Sequence, residues 1–359
     1  MSDLAPYHRD MGARLAPDGI PLDYGDLSAE YEAADRAAIL LDRSHEGRIL
    51  VSGDDRLSLI NRMSTNDLSA LPVNDGRATV FTDANARILF RADCTHRPEG
   101  LLLISEPGQG PSLANFLRRN IFFGDKAAVS DQSKATAQFA LHGARADQIA
   151  FALDGRLRDL PAMGSRDCVV AGFSTILSRR KPLSGGHWSL ICAADDAAAV
   201  HKQLLELGQP LGLRLAGSLV FNILRIRGGR PGGRELSSDY IPLEVGLWDE
   251  ISFSKGCYTG QEIIARMESR ERVAKAMVKV NLSRLVSAPA PLYYGGRAVG
   301  ALTSSVEAPD GDVFALAVVK VSCCQPGTIL DFEGGQAQAR VADFAGVQPP
   351  FIQRVAPRT

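Results

Sequence analysis

Residues 255–262 read Lys-Gly-Cys-Tyr-Thr-Gly-Gln-Glu and place a cation, a thiol, a phenol, an amide and a carboxylate in one short stretch. Gly256 and Gly260 permit a positive φ angle or the close approach of another backbone segment. Residues 260–270 have the composition of a helix, and Thr259 is in position to cap it. This chemistry predicts a functional turn. A structural turn with a half-buried cysteine is the alternative.

The thiol of Cys257 is the candidate reactive group of this stretch. It precedes the expected helix, where the helix dipole favours negative charge and therefore a thiolate. The ammonium group of Lys255, two residues earlier, is expected to act in the same direction. We therefore predict Cys257 and Lys255 as the catalytic residues.

The composition is typical of a soluble protein with several domains. With 359 residues the chain is too long for one compact core, so two or three domains are expected. The net charge of -1 gives no basic excess for nucleic acid. No apolar run approaches the roughly 18 residues of a membrane helix. No secretory signal is recognisable, so a cytoplasmic location is expected.

The cysteine spacing argues against a metal site. The six cysteines include no C-x-x-C pair; they stand at positions 94, 168, 192, 257, 323 and 324. A zinc or iron–sulfur site with ordinary ligand spacing is therefore not predicted, and no metal ligand is assigned. Scattered thiols are typical of a reducing compartment, in which most of them have structural roles.

The chain is predicted to divide into an arm and three folded parts. Residues 1–27 are rich in Pro, Gly and Asp and are expected to form an extended N-terminal arm. Helix and strand patterns over 28–135 and again over 136–284 indicate two α+β lobes, the first opening with a helix over 28–41. Residues 285–359 combine short strands with glycines, which indicates a small C-terminal β-barrel.

Several charged and aromatic residues near the opening stretch are candidates for ligand binding. Arg225, Arg227 and Arg266 are predicted to bind the anionic part of a ligand; a solvated charged face is the alternative. Glu244 lies in an otherwise apolar run, where a carboxylate is costly unless it is paired. It could accept two N–H bonds from a heterocycle or form a structural ion pair. The remaining candidates are Tyr240, Tyr258 and Gln261.

The opening stretch resembles the signature of the YgfZ-type folate-binding proteins, a family associated with the maintenance of iron–sulfur enzymes. That family belongs to the superfamily of the glycine-cleavage T protein, an aminomethyltransferase. Residues 240–247, Tyr-Ile-Pro-Leu-Glu-Val-Gly-Leu, resemble the segment that the superfamily places just upstream. Residues 52–67 are similar to its N-terminal region, and a weaker resemblance extends over 29–344.

The resemblance implies an α+β fold of three lobes in a ring, with two ferredoxin-like lobes and a C-terminal β-barrel. It also implies a basic central cavity for a tetrahydrofolate. Two carboxylates of the aminomethyltransferases are replaced in this alignment. Arg91 takes the place of the catalytic aspartate, with Asp93 two residues away, and Arg227 takes the place of the glutamate that holds the pterin. A folate would then need Glu244 or Asp239 as its anchor.

We therefore predict a folate-binding accessory protein that supports iron–sulfur cluster assembly or repair, with client or assembly proteins as partners. Cys257 would attack a disulfide, take a transient adduct, or lend one ligand to a cluster held mainly by a partner. A tetrahydrofolate-dependent aminomethyltransferase or demethylase is the first alternative. A non-catalytic interaction module is the second. Neither a membrane nor a nucleic acid is expected as a partner.

Overall fold

The computed structural model describes residues 4–335 and 337–353, which divide into two compact units. Each unit is assembled from separate segments of the chain. Within the described residues, the first unit comprises 4–60, 68–78 and 92–221, and the second comprises 61–67, 79–91, 222–335 and 337–353.

The helices of the described residues are short. They are α1 (Ala5–Asp10), α2 (Leu27–Arg36), α3 (Arg56–Met63), α4 (Gly110–Arg119), α5 (Ala146–Leu153), α6 (Ala197–Gly208), α7 (Ser218–Arg227), α8 (Gln261–Ser269) and α9 (Pro350–Gln353). Helix α2 begins after Asp26, whose carboxylate accepts a hydrogen bond from Ala29 N and caps the helix. Among the described residues, no helix has both the length and the apolar character that a membrane crossing requires.

The strands form a two-stranded sheet, a five-stranded sheet, a six-stranded sheet and a closed barrel. They are β1 (Arg14–Leu15), β2 (Pro21–Asp23), β3 (Ala38–Asp42), β4 (Glu46–Ser52), β5 (Gly76–Thr82), β6 (Ile88–Arg97), β7 (Gly100–Pro107), β8 (Ala128–Asp131), β9 (Thr136–Gly143), β10 (Ser165–Val170), β11 (Phe173–Arg179), β12 (Gly186–Ala193), β13 (Leu213–Leu215), β14 (Lys275–Leu282), β15 (Ala290–Tyr294), β16 (Arg297–Glu307), β17 (Val313–Lys320), β18 (Ile329–Asp331) and β19 (Gln338–Phe344). One sheet has the order β5-β6-β7-β4-β8.

The other sheet, with the order β10-β11-β12-β9-β3-β13, carries the main core of the first unit. Its strands pair antiparallel except at the edge, where β13 runs parallel to β3. Helices α5 and α6 pack against it. Val200 and Leu204, one turn apart on α6, join the same buried cluster as Phe139 and Trp188. This spacing gives α6 its apolar face.

The C-terminal strands close into a barrel with the order β14-β17-β16-β15-β18-β19. All of its neighbouring strands are antiparallel. Val278 and Val280 on β14 point inward with Ala315 and Ala317 on β17, as the two-residue period of a strand requires. The predicted α+β fold class with a C-terminal β-barrel is confirmed.

The expectation of an extended arm over residues 1–27 is wrong for its described part. Helix α1 and the β1–β2 pair occupy this segment. The ring of His8 is completely buried, and its Nε2 lies 2.9 Å from Asp42 Oδ2. The hydroxyl of Tyr24 lies 2.8 Å from His8 Nδ1. Tertiary contacts such as these, together with the burial of Leu4, hold a segment whose composition alone favours a loop.

The boundaries of the predicted lobes also differ from the structure. The helix expected over 28–41 ends at Arg36, and residues 38–42 form β3. This strand belongs to the sheet of residues 136–215, because it pairs with β9. The barrel begins with β14 at Lys275, before the expected boundary at 285, since β14 supplies one of its six strands.

Candidate functional site

Residues 255–260, here called the motif turn, lead into α8 within the second unit. Gly260, not the predicted Thr259, is the N-cap residue of α8, and its φ angle is 84°. A Cβ atom on Gly260 would lie 2.6 Å from the carbonyl oxygen of Asp83, so both the backbone angle and the packing require glycine. Thr82 Oγ1 donates to the carbonyl oxygen of Thr259 at 2.6 Å.

The side chain of Lys255 is enclosed by backbone carbonyl groups. Its Nζ donates to the carbonyl oxygens of Asn61 at 2.5 Å, Ser64 at 2.8 Å and Asn66 at 2.7 Å. These bonds use all three donors of an ammonium group. The ring of Tyr258 lies 5.3 Å from the same nitrogen, within range of a cation–π interaction. Lys255 thus joins the motif turn to the segment that carries the three carbonyls.

These contacts also set the protonation states of two predicted site residues. Burial lowers the pKa of Lys255 to about 8, so the ammonium remains the main form at neutral pH. The three donors of Lys255 hold backbone carbonyls, so its observed role is structural, and the stabilisation of a thiolate at Cys257 stays a prediction. Tyr258 packs in the core of the second unit, and burial raises its pKa to about 12. Its phenol therefore stays neutral at physiological pH.

Cys257 is the exposed cysteine of this protein. All six cysteines lie in described residues and are free thiols, and the other five are buried. Cys257 stands between Lys255, which is tied to three carbonyls, and Tyr258, which is 7% exposed. The turn therefore presents the thiol to solvent on a backbone that is anchored on both sides.

Two further candidates lie on α8. Gln261 Nε2 donates to the carbonyl oxygen of Lys255 at 3.3 Å and so supports the motif turn. Arg266 is exposed. Contact of either residue with a ligand stays a prediction.

Arg91 forms a buried, bidentate ion pair with Glu250. Arg91 Nε lies 2.8 Å from Glu250 Oε2, and Arg91 Nη2 lies 2.7 Å from Oε1. The side chains of the two residues are 8% and 3% exposed. Glu250 is not among the site residues predicted from the sequence. The one signal that could indicate it is its charge within a mostly apolar stretch. Asp93, the other carboxylate considered for this region, belongs to the first unit, where it lies 3.4 Å from Arg180 Nη1.

Glu244 and Tyr240 lie close to cations of the second unit. Glu244 Oε2 accepts a hydrogen bond from Ile241 N at 3.3 Å and lies 3.8 Å from Arg87 Nη1. Burial raises the pKa of Glu244 in spite of these contacts, and burial also raises the pKa of Tyr240. Lys275 Nζ lies 5.7 Å from the centre of the Tyr240 ring. These contacts of Glu244 are those expected if it forms a structural ion pair. Its binding of a heterocycle stays a prediction.

Arg225 and Arg227 occupy the last turn of α7. Arg225 Nη1 lies 3.6 Å from Oε2 of Glu235, a carboxylate with no exposed surface. Ser304 Oγ completes this group, because it donates to Glu235 Oε1 at 2.7 Å and accepts from Arg225 Nη2 at 3.2 Å. The structure thus gives Arg225 an internal partner, since a buried carboxylate requires a cation. Contact of Arg225 with a ligand stays a prediction. Arg227 is half-buried, and its role stays a prediction.

Most of the chain is similar in sequence to known transferases. A putative chloroplastic transferase of Arabidopsis thaliana is 32% identical over 323 residues, which cover 89% of this chain and 74% of that protein. An aminomethyltransferase of Moorella thermoacetica is 29% identical and covers 97% of this chain and 96% of its own length. The aminomethyltransferase of Bacillus subtilis is 27% identical, with 93% of both chains covered.

The fold is shared with a solved structure. The glycine cleavage system aminomethyltransferase T from Bartonella henselae matches with a TM-score of 0.82 and 21% identity, over 99% of both chains. At this identity the likeness shows the fold alone. A sequence profile described as the GCVT N-terminal domain matches residues 8–255, which is more than half of the chain. With this match and the identity to the Arabidopsis transferase, the chain belongs to the GCVT N-terminal domain family, that of the glycine-cleavage T proteins.

Proposed function

We propose that this protein binds a tetrahydrofolate and supports the assembly or repair of iron–sulfur clusters in other proteins, without catalysing aminomethyl transfer. Membership of a family whose aminomethyltransferases use tetrahydrofolate supports the ligand. One observation carries the rest of the proposal. Arg91, at the position that the resemblance gives to the catalytic aspartate, is held by Glu250 in a buried ion pair.

Aminomethyl transfer needs a carboxylate that organises the substrate amine. Arg91 has the opposite charge, and its guanidinium would repel an ammonium group. The carboxylate of Glu250 is engaged by Arg91 through both oxygens, so it is a poor substitute for the missing aspartate. Breaking the pair to free it would leave a buried charge without its partner, which costs about 3–5 kcal/mol. The pair therefore disfavours catalysis at this position.

The exposed thiol of Cys257 supports the accessory role. Its neighbours are anchored, so a partner protein meets it in one defined position. One cysteine cannot hold a cluster by itself. We propose that Cys257 lends one thiolate ligand to a cluster held mainly by an iron–sulfur client or assembly protein. No oxidant or reductant is needed for such a ligand exchange.

Titration calorimetry with tetrahydrofolate, under conditions that prevent its oxidation, tests whether the protein binds this ligand. We expect the wild-type protein to bind, and Arg227→Met to weaken binding about tenfold, because a charge-assisted hydrogen bond to an anionic group is lost. Glu244→Gln is expected to weaken binding as well. Arg340→Met, an exposed arginine on β19, is the control and should bind like the wild type. Absence of binding at millimolar tetrahydrofolate would remove the folate from the proposal.

The thiol is tested in cells that lack the protein. We expect a gene encoding Cys257→Ser to leave the activity of an iron–sulfur dehydratase near the level of the deletion, whereas the wild-type gene restores it. The exposed position should keep the change in stability within about 0.5 kcal/mol, so unfolding would not explain the loss. Ser254→Ala, an exposed residue just before the motif turn, is the control. Full activity with Cys257→Ser would contradict the role of the thiol.

An aminomethyltransferase or demethylase is the second candidate function. The relatives from Moorella and Bacillus, both named aminomethyltransferases, favour it at 29% and 27% identity. Transfer of a one-carbon unit to tetrahydrofolate from a glycine-cleavage or N-methyl substrate would establish this function and overturn the first. If neither folate binding nor a need for Cys257 were found, a non-catalytic interaction module would be the better description.

We also propose a reducing compartment, such as the cytoplasm, as the location. The six cysteines are all free thiols, which suits such a compartment. The Arabidopsis relative is named as a chloroplastic protein. Fractionation of cells that express the tagged chain would test the location.

A further inference from the structure

A cavity of about 290 Å³ opens at the surface of the first unit. One part of its wall is apolar and combines the N-terminal segment with α6 and β13. The residues of this part are Met11, Leu205, Leu213 and Leu215. None of the ligand-binding residues predicted from the sequence lines this cavity, so it has no role in the function proposed above.

The polar part of the wall carries two carboxylates. Glu30 is 1% exposed, and its two oxygens accept hydrogen bonds from Tyr24 N at 2.6 Å and Gly217 N at 3.1 Å. Burial raises the pKa of Glu30, and these two hydrogen bonds together with the charge of Arg214 oppose that shift. Asp26, the capping residue of α2, lies beside it in the wall. This side of the cavity favours a cation.

Among the described residues of this wall, Arg214 is the one cation. Arg214 is exposed on β13, between Leu213 and Leu215, and its charge acts on Glu30. A guanidinium group is well suited to bind a carboxylate. The wall thus combines an anionic part, a cationic part and an apolar part within a space that accommodates a molecule the size of leucine.

We propose that this cavity binds an apolar α-amino acid. Its ammonium group would lie against Asp26 and Glu30, and its carboxylate against Arg214. Its side chain would lie against Met11 and Leu205. These are the groups that a zwitterion with a branched apolar chain requires.

The N-terminal wall of the cavity is held in place by a buried hydrogen-bond chain. The hydroxyl of Tyr24 lies 2.8 Å from His8 Nδ1, and His8 Nε2 lies 2.9 Å from Asp42 Oδ2. His8 has no exposed surface, and Asp42 is 6% exposed. The wall is therefore positioned before a ligand arrives, which reduces the ordering that binding would require.

Calorimetry or ligand-observed NMR with the full-length protein, free of folate, tests this proposal. Three probes share the same branched chain: L-leucine, isoamylamine, which has no carboxylate, and 4-methylpentanoate, which has no ammonium group. We expect L-leucine to bind with a Kd on the order of a millimolar, as its small size implies. Isoamylamine should bind more weakly, and 4-methylpentanoate most weakly, because two carboxylates face one arginine.

Two variants assign the binding to this cavity. Asp26→Asn keeps the capping hydrogen bond to Ala29 N but removes a charge, and should weaken L-leucine binding about fivefold. Arg214→Met should make L-leucine and isoamylamine bind equally. Asp159→Asn, an exposed acid of the first unit outside the cavity, should change nothing. No binding of L-leucine at tens of millimolar, or binding that survives Asp26→Asn and Arg214→Met unchanged, would overturn the proposal and leave the folate and thiol tests untouched.

Discussion

Replacing Arg91 with leucine is expected to lower the free energy of unfolding of the second unit by about 3–5 kcal/mol. The change would leave the carboxylate of Glu250, whose side chain is 3% exposed, without the guanidinium that neutralises it. The double variant Arg91→Leu/Glu250→Leu is expected to regain most of this loss, because it removes both buried charges at once. This result would show that the two side chains are strongly coupled. It would also show that the ion pair adds little to the free energy of unfolding compared with two leucines.

Urea denaturation with hydrogen exchange read on peptides of the second unit measures these free energies. The matched control is Arg87→Leu, since the Arg87 side chain is 42% exposed and lies 3.8 Å from Glu244. We expect this control to cost less than about 1 kcal/mol. If Arg91→Leu also cost less than about 1 kcal/mol, the buried pair would not be coupled. The same conclusion would follow if the double variant lost as much stability as Arg91→Leu and Glu250→Leu together.

Replacing Lys255 with methionine is expected to cost about 2–4 kcal/mol of the free energy of unfolding of the second unit. Methionine keeps much of the apolar stem but removes the three donors to Asn61, Ser64 and Asn66. Their carbonyl groups would lose charge-assisted hydrogen bonds. The motif turn should then exchange its amide protons faster, together with residues 61–66.

The same measurement on Lys320→Met provides the control. Lys320 Nζ donates to one carbonyl group, that of Ala298 at 3.3 Å, on an exposed surface of the barrel. We expect this loss to stay within about 0.5 kcal/mol. If Lys255→Met were as mild as the control, or if exchange rose only at Lys255 itself, the role of Lys255 as the anchor of the turn would be refuted.

Local patterns in the sequence predict several elements of the structure. The polar turn 83–86 between two apolar runs predicts the pair β5 and β6, and the residues after Gly260 predict α8. The alternating residues and glycines near the C-terminus predict barrel strands. Each of these depends on neighbouring residues, so the chain alone contains the information.

Other elements depend on residues far away in sequence, and local patterns mislead there. Ala38 and Leu41 have the spacing of a helix, but they lie in β3, which is completed by hydrogen bonds to β9 about 100 residues later. The N-terminal segment makes contacts with distant residues, among them that of His8 with Asp42 and that of Tyr7 with His201. Both cases show tertiary contacts overriding local propensity.

The sequence by itself determined the family, the α+β class, the C-terminal barrel and the motif turn with its cysteine. These follow from the order of residues along the chain. The tertiary structure decided what the charged side chains do, because a charge acquires its role from the partner that folding brings to it. Lys255 binds three backbone carbonyls, Arg91 pairs with Glu250, and Arg225 pairs with Glu235. Because these charges are buried or partly buried, each requires its partner. The chemical group that the motif turn presents to solvent is the exposed thiol of Cys257.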